Sequence, residues 1–188
     1  QQMMEDSDGN LWFIFERHGL QSYNIKTGDW TIHLEGQRPR VLTQLSLDQQ
    51  IWVGTDNGLW HFDGSSWQTV PQLTGIEIHV LLQARDRTIL WVGTNQGLWQ
   101  FDGTEWQPIL QNHEVNTLLE SGDHSLWVGT KRGVWRYNGR NWYRHSQLSR
   151  SHILSLLELK DKSIWVLAKN GLWRYSPTGW AHPESLQS

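Results

Sequence analysis

The sequence predicts an all-β chain, a β-propeller of about five four-stranded blades, and three observations predict it. A block beginning Ile51-Trp52-Val53-Gly54-Thr55 and ending at Trp67 recurs from Leu90 to Trp106 and from Leu126 to Trp142. It recurs in looser form from Ile164 to Trp180, with a degenerate copy from Leu11 to Trp30. The lead tryptophans Trp12, Trp52, Trp91, Trp127 and Trp165 stand 40, 39, 36 and 38 residues apart. A period of roughly 40 residues with strand-like content is the sequence signature of propeller blades. Within four copies the next Trp follows after eight residues and a third after seven more, so the strands keep one register throughout.

Each unit reads as four short strands, A to D, rich in β-branched and aromatic residues and separated by turn residues. In the second unit strand A runs from about Val41, strand B is Ile51 to Thr55, strand C is Leu59 to Asp63, and strand D starts at Trp67. Asp63-Gly64, Asp102-Gly103 and Asn138-Gly139 mark the C–D turns, where positive φ is needed. Asp56-Asn57-Gly58, Asn95-Gln96-Gly97, Lys131-Arg132-Gly133 and Asn170-Gly171 mark the B–C turns. Asp8, Asp48, Asp123 and Asp161, each four residues before a lead Trp, are expected to build Asx-type A–B turns. Asp6-Ser7-Asp8-Gly9-Asn10 starts like a calcium loop but lacks its downstream Glu, so it reads as a turn as well.

The blades are expected at about residues 1–34, 40–70, 78–110, 114–147 and 152–183, in one domain over 1–188. Their strands do not alternate cleanly between apolar and polar, as expected when neighbours cover both faces of a sheet. The expected core is Trp12, Trp52, Trp91, Trp127 and Trp165 with the strand C residues Trp60, Trp99, Trp135 and Trp173. Gly54, Gly93 and Gly129 are expected to leave room for an indole from the adjacent blade. Blade 5 has Leu167 at that position and blade 1 has Ile14, so packing must differ there. Five whole repeats predict a closed five-bladed ring, hence a monomer.

The formal charge is −3 with both signs interspersed, so no basic stripe is present to neutralise phosphates and nucleic acid is not an expected partner. Cysteine is absent, which removes disulfides and thiolate metal sites. Apolar runs fall far short of the ~20 residues of a membrane helix, so no direct membrane insertion is expected. There is no nucleophile elbow, phosphate loop or zinc-binding His pair, and the chain reads as non-enzymatic, with no cofactor and no metal.

The string Leu-Trp-Val-Gly-Thr-x-x-Gly-Leu-x-x-Phe-Asp-Gly resembles the two-component regulator propeller repeat. The resemblance is close in Ile51–Trp67, Leu90–Trp106 and Leu126–Trp142 and weak in Leu11–Trp30. That family's units occur in extracytoplasmic sensor regions of bacterial hybrid histidine kinases. The resemblance therefore implies a propeller scaffold outside the cytoplasm that binds a small ligand or a partner protein, and it supplies no catalytic residues. Ligands of propellers enter at the channel mouth, where Arg40, His79, Glu114 and His152 occupy aligned positions just before strand A, with His113 and Arg150 close by. These are the expected ligand-binding residues, with the B–C turns as their rim. Two alternatives stand beside this reading. One is a small five-bladed carbohydrate-binding lectin; the other is an excised or engineered fragment of a larger propeller without activity of its own.

Overall fold

The computed structural model describes residues 2–15, 18–46 and 49–182. Its strands form five four-stranded antiparallel sheets. The first is β1 (Gln2–Glu5), β2 (Asn10–Phe15), β3 (Gly19–Asn24) and β4 (Trp30–His33). The second is β5 (Pro39–Gln44), β6 (Ile51–Thr55), β7 (Gly58–Phe62) and β8 (Trp67–Thr69). The third is β9 (Ile78–Gln83), β10 (Leu90–Thr94), β11 (Gly97–Phe101) and β12 (Trp106–Gln111). The fourth is β13 (Val115–Glu120), β14 (Leu126–Thr130), β15 (Gly133–Tyr137) and β16 (Trp142–His145). The fifth is β17 (Ile153–Glu158), β18 (Ile164–Ala168), β19 (Gly171–Ser176) and β20 (Gly179–Ala181). Consecutive strands pair in every sheet, so each repeat is one meander.

The chain divides into two compact units, Gln1–Val92 with Gln100–Trp106, and Gly93–Trp99 with Gln107–Ser188. The third sheet's residues are shared out between them. In the first unit Trp12, Ile14 and Leu20 pack with Leu42, Ile51 and Val53 of the second sheet. In the second unit Trp127 and Val134 pack with Ile153, Leu156, Ile164 and Val166 of the fifth sheet. Trp12, Trp52, Trp91 and Trp127 are buried, whereas Trp165 and the strand C residues Trp60, Trp99, Trp135 and Trp173 are half-buried.

The glycine of the Trp-Val-Gly-Thr string has a different partner from the one expected. A Cβ on Gly54 would lie 2.5 Å from Ile78 Cγ2, and one on Gly129 would lie 2.6 Å from Ile153 Cγ2 and 2.5 Å from Thr117 Cγ2. The space holds the first isoleucine of the following sheet, not an indole. A β-branched side chain leaving strand A is short and stiff, so it reaches the notch without a rotamer search. The indoles lie one residue earlier on strand B, where the groove is wider.

The A–B turns also differ in one respect. Asp123 and Asp161 accept the N–H of Ser125 and of Ser163, as Asx turns do. In the first sheet that role falls to Asp6 rather than Asp8: its carboxylate accepts N–H groups from Asp8, Asn10 and the Trp12 indole. Asp48 lies outside the described residues. The turns cross the left-handed region at Gly9, Gln49, His124 and Lys162, a feature that only Gly9 betrays in the sequence.

Histidines cover the lead indoles. His145 lies flat on Trp127 with centroids 5.1 Å apart and 4° between planes, and His33 stacks on Trp12 at 4.6 Å. The Trp180 indole N–H donates to His145 Nδ1 at 3.2 Å, so the ring proton sits on Nε2, which is buried without an acceptor. Burial, followed by the positive charge of Arg136, pushes the His145 pKa down to about 4. The native state therefore binds fewer protons than the unfolded chain, whose histidines titrate near 6.5. The stability this neutral ring confers is complete above about pH 6.5 and is lost as the pH falls towards about 4. Burial lowers the pKa of His33 in the same direction. The urea midpoint should fall across that window, with a shallower slope in a His145→Phe variant; an unchanged slope in the variant would dismiss the account.

Candidate functional site

Three B–C turns are built alike. In β6, β10 and β14 the closing threonine is fully buried. Thr130 Oγ1 donates to Gly133 O at 2.9 Å and accepts the N–H of Arg132 at 3.1 Å. Thr94 makes the same pair of bonds to Gly97 and Gln96, and Thr55 to Gly58 and Asn57. One hydroxyl thus satisfies two buried backbone groups and sets the direction of the turn tip. At Gly133 φ is +117° and a Cβ would meet Leu148 O at 2.8 Å, so only glycine fits. The tips carry Lys131-Arg132 and Asn95-Gln96, and both tips line the same cleft.

That cleft, about 890 Å³, lies in the second unit. Its floor and walls come from the Gln111–Glu114 loop, the two turn tips, Arg144 on β16 and Arg150 beyond it. Lys131 Nζ donates to Glu114 Oε2 at 2.9 Å, and the Lys131 N–H donates to Glu114 O at 2.9 Å. Arg144 Nη2 donates to the carbonyls of Ser149 and Arg132 at 3.0 and 3.2 Å. Its guanidinium lies 5.7 Å from the Trp135 ring centroid, where the face of the indole favours a cation. His113 meets the same indole edge-on at 5.2 Å and donates from Nδ1 to Gln111 O at 2.7 Å, which leaves Nε2 as an acceptor. Arg132 and Arg150 have no side-chain partner among the described residues. Four cationic side chains therefore face one carboxylate, itself neutralised by Lys131.

The residues expected at the channel mouth fall into three places. Arg40 and His79 lie in the first unit and meet at Glu77, which bonds Arg40 Nη2 and sits 3.5 Å from His79 Nε2. Arg40 Nε also bonds Asp56. His113 and Glu114 line the cleft of the second unit together with Arg150. His152 does not line it; its carbonyl accepts the Lys169 N–H at 2.9 Å. Arg144 and Glu77 were not visible as site residues. Arg144 sits on a strand whose neighbours alternate without pattern, and only the fold brings it beside the tip at Lys131. The recurring strand C residues act on their own blades. His61 stacks on Trp52 at 4.7 Å, and Arg136 reaches over Trp127 while pairing with Asp123 at 2.7 Å.

No protein-family profile and no curated protein matches the chain. Solved structures do. The extracellular domain of the putative hybrid two component system BT4673 from B. thetaiotaomicron aligns with a TM-score of 0.73 and 21% identity over 90% of this chain and 26% of that one. The extracellular domain of the putative hybrid two component system BT3049 from the same organism aligns with a TM-score of 0.72 and 21% identity, over 96% of this chain and 28% of that one. A catalytically inactive virginiamycin B lyase from Staphylococcus aureus, crystallised with quinupristin, aligns with a TM-score of 0.70 and 13% identity over 95% of this chain and 67% of that one. The chain thus spans about a quarter of the two extracellular domains. At these identities the likeness carries the fold, the β-propeller, and nothing about ligand or reaction.

Proposed function

We propose that the chain is a non-enzymatic propeller scaffold of the two-component regulator type, which binds a small carboxylate- or phosphate-bearing ligand in the cleft around Arg132, Arg144 and Arg150. The observation that carries this reading is the imbalance of charge in the cleft. Lys131 spends its charge on Glu114, and Arg144 is held by two carbonyls, but Arg132 and Arg150 present guanidinium groups with their donors unclaimed. Planar forks of this kind suit carboxylate and phosphate oxygens. His113 Nε2 adds an acceptor for a ligand hydroxyl. The likeness to extracellular domains of two-component systems supports a recognition role outside the cytoplasm. The lectin reading is weaker, because four of the five lead indoles are buried and so offer no face to a sugar.

Calorimetric titration with citrate and with inorganic phosphate tests the proposal. Saturable binding of one of them is expected, weakening as salt rises. The double variant Arg132→Ala with Arg150→Ala should lose at least tenfold in affinity without a change in thermal midpoint, since both side chains are solvated. Equal affinity in the double variant, or no heat with either anion, would discard the cleft as an anion site.

A further inference from the structure

One chemical pattern recurs wherever successive sheets meet inside a unit. The lead Trp of one sheet is met by an aromatic pair from strands C and D of the next. Trp12 faces Phe62 and Trp67 at 6.1 and 6.2 Å, and Trp52 faces Phe101 and Trp106 at 6.0 and 6.1 Å. In the second unit Tyr175 meets Trp127 at 5.1 Å, while Trp180 meets the His145 ring stacked on it at 5.1 Å. Each pair is also in mutual contact, at 5.1, 4.7 and 5.2 Å.

Two halves of this junction are left without their complement. The first sheet carries the aromatic pair Tyr23–Trp30, 4.9 Å apart and in the same strand register as Phe62–Trp67. Yet Trp30 is 55% exposed, with Met3 67% and Ile32 57% exposed on the same face. The fifth sheet carries a lead residue, Trp165, which meets no aromatic ring among the described residues. Around it Leu157 is 57% and Leu167 45% exposed, lining an apolar groove of about 400 Å³. Leu157 stands opposite Trp165 as Leu119 stands opposite Trp127, and Leu119 packs beneath the fifth sheet. Leu167 replaces the notched glycine, so the sheet that covers it needs no knob such as Ile153. Contiguous apolar faces of this kind mark interaction surfaces.

We propose that a second copy of this chain covers them, the Trp165 face of one copy taking the Tyr23–Trp30 face of the next. The complement each face requires is present on the same polypeptide, in the chemistry that already joins its sheets. The contact is heterologous, head to tail, because the two faces differ. A five-bladed ring closed within one chain, the expectation from repeat count, would use the same two faces and leave none for a partner.

The test is oligomeric state by size-exclusion chromatography with light scattering. The wild-type chain is expected to associate with rising concentration, beginning at twice the monomer mass. Trp30→Asp and Leu157→Asp variants should each be monomeric with an unchanged circular dichroism spectrum. Mixed in equal amounts they should form a one-to-one dimer, since one retains the Trp165 face and the other the Tyr23–Trp30 face. The chain has no cysteine, so a second readout uses Ile32→Cys and Leu172→Cys variants, which carry no buried charge. Under oxidation these should cross-link in the mixture far more than either does alone. A wild type monomeric at all concentrations would overturn the proposal in favour of closure within one chain. Variants that still self-associate, or a mixture that neither dimerises nor cross-links, would overturn it as well.

Discussion

Replacing Trp127 by Ala is expected to cost about 3–5 kcal/mol, measured by urea denaturation followed by circular dichroism. Thirteen other tryptophans make fluorescence a poor probe of a single one. The indole is 2% exposed, carries His145 flat on one face, meets Tyr175 at 5.1 Å and lies beneath Arg136. Its N–H donates to Ser121 Oγ at 3.1 Å. Truncation leaves a cavity among these rings and an unclaimed hydroxyl, and the sheets on either side cannot collapse into it without leaving their own pairing registers. Total stabilities of domains run at about 5–15 kcal/mol, so one such loss is tolerable and two are not. The exposed Tyr143, on the neighbouring strand, should tolerate Ala within about 0.5 kcal/mol. If the two variants melted alike, the stacked indoles would carry no special share of stability.

Gly129→Leu should cost about 3 kcal/mol, at the upper end for overpacking. Even the first carbon of the new side chain would come within 2.6 Å of Thr117 and Ile153. Both neighbours are β-branched and held in strands, so neither can swing clear. Leu167 shows that the backbone itself accepts leucine at this position when no following sheet lies over it. The cost is therefore one of junction packing, and Ile153→Ala should relieve it. The double variant should be more stable than the sum of the two single losses by over about 1 kcal/mol. Strict additivity would show that the notch and the isoleucine are not coupled.

The candidate cleft was half legible. Glu114, His113 and the Lys131-Arg132 tip stand out by their aligned positions, because loops at one end of each repeat share a register. What they do was not legible. Glu114 neutralises Lys131 rather than a ligand, and Arg40 and His79 are tied to Glu77 in the other unit. Arg144 joins the cleft from a strand whose sequence carries no sign of it. Ion pairing depends on which side chains converge, and convergence is not a local property.

The sequence by itself determined the five meanders, their registers and the identity of their turns. Strand periodicity, the hairpin glycines and the Trp spacing act over ten residues or fewer, and each repeat states them afresh. Only the tertiary structure decided what covers each face. It put Ile78 and Ile153 in the glycine notches and His33 and His145 on the lead indoles. It also left Trp30 and Trp165 uncovered although their repeats read like the rest. The reason is that a sheet's two faces are filled by residues some 20 to 40 positions away, and a repeat cannot encode in itself whether its neighbour is present.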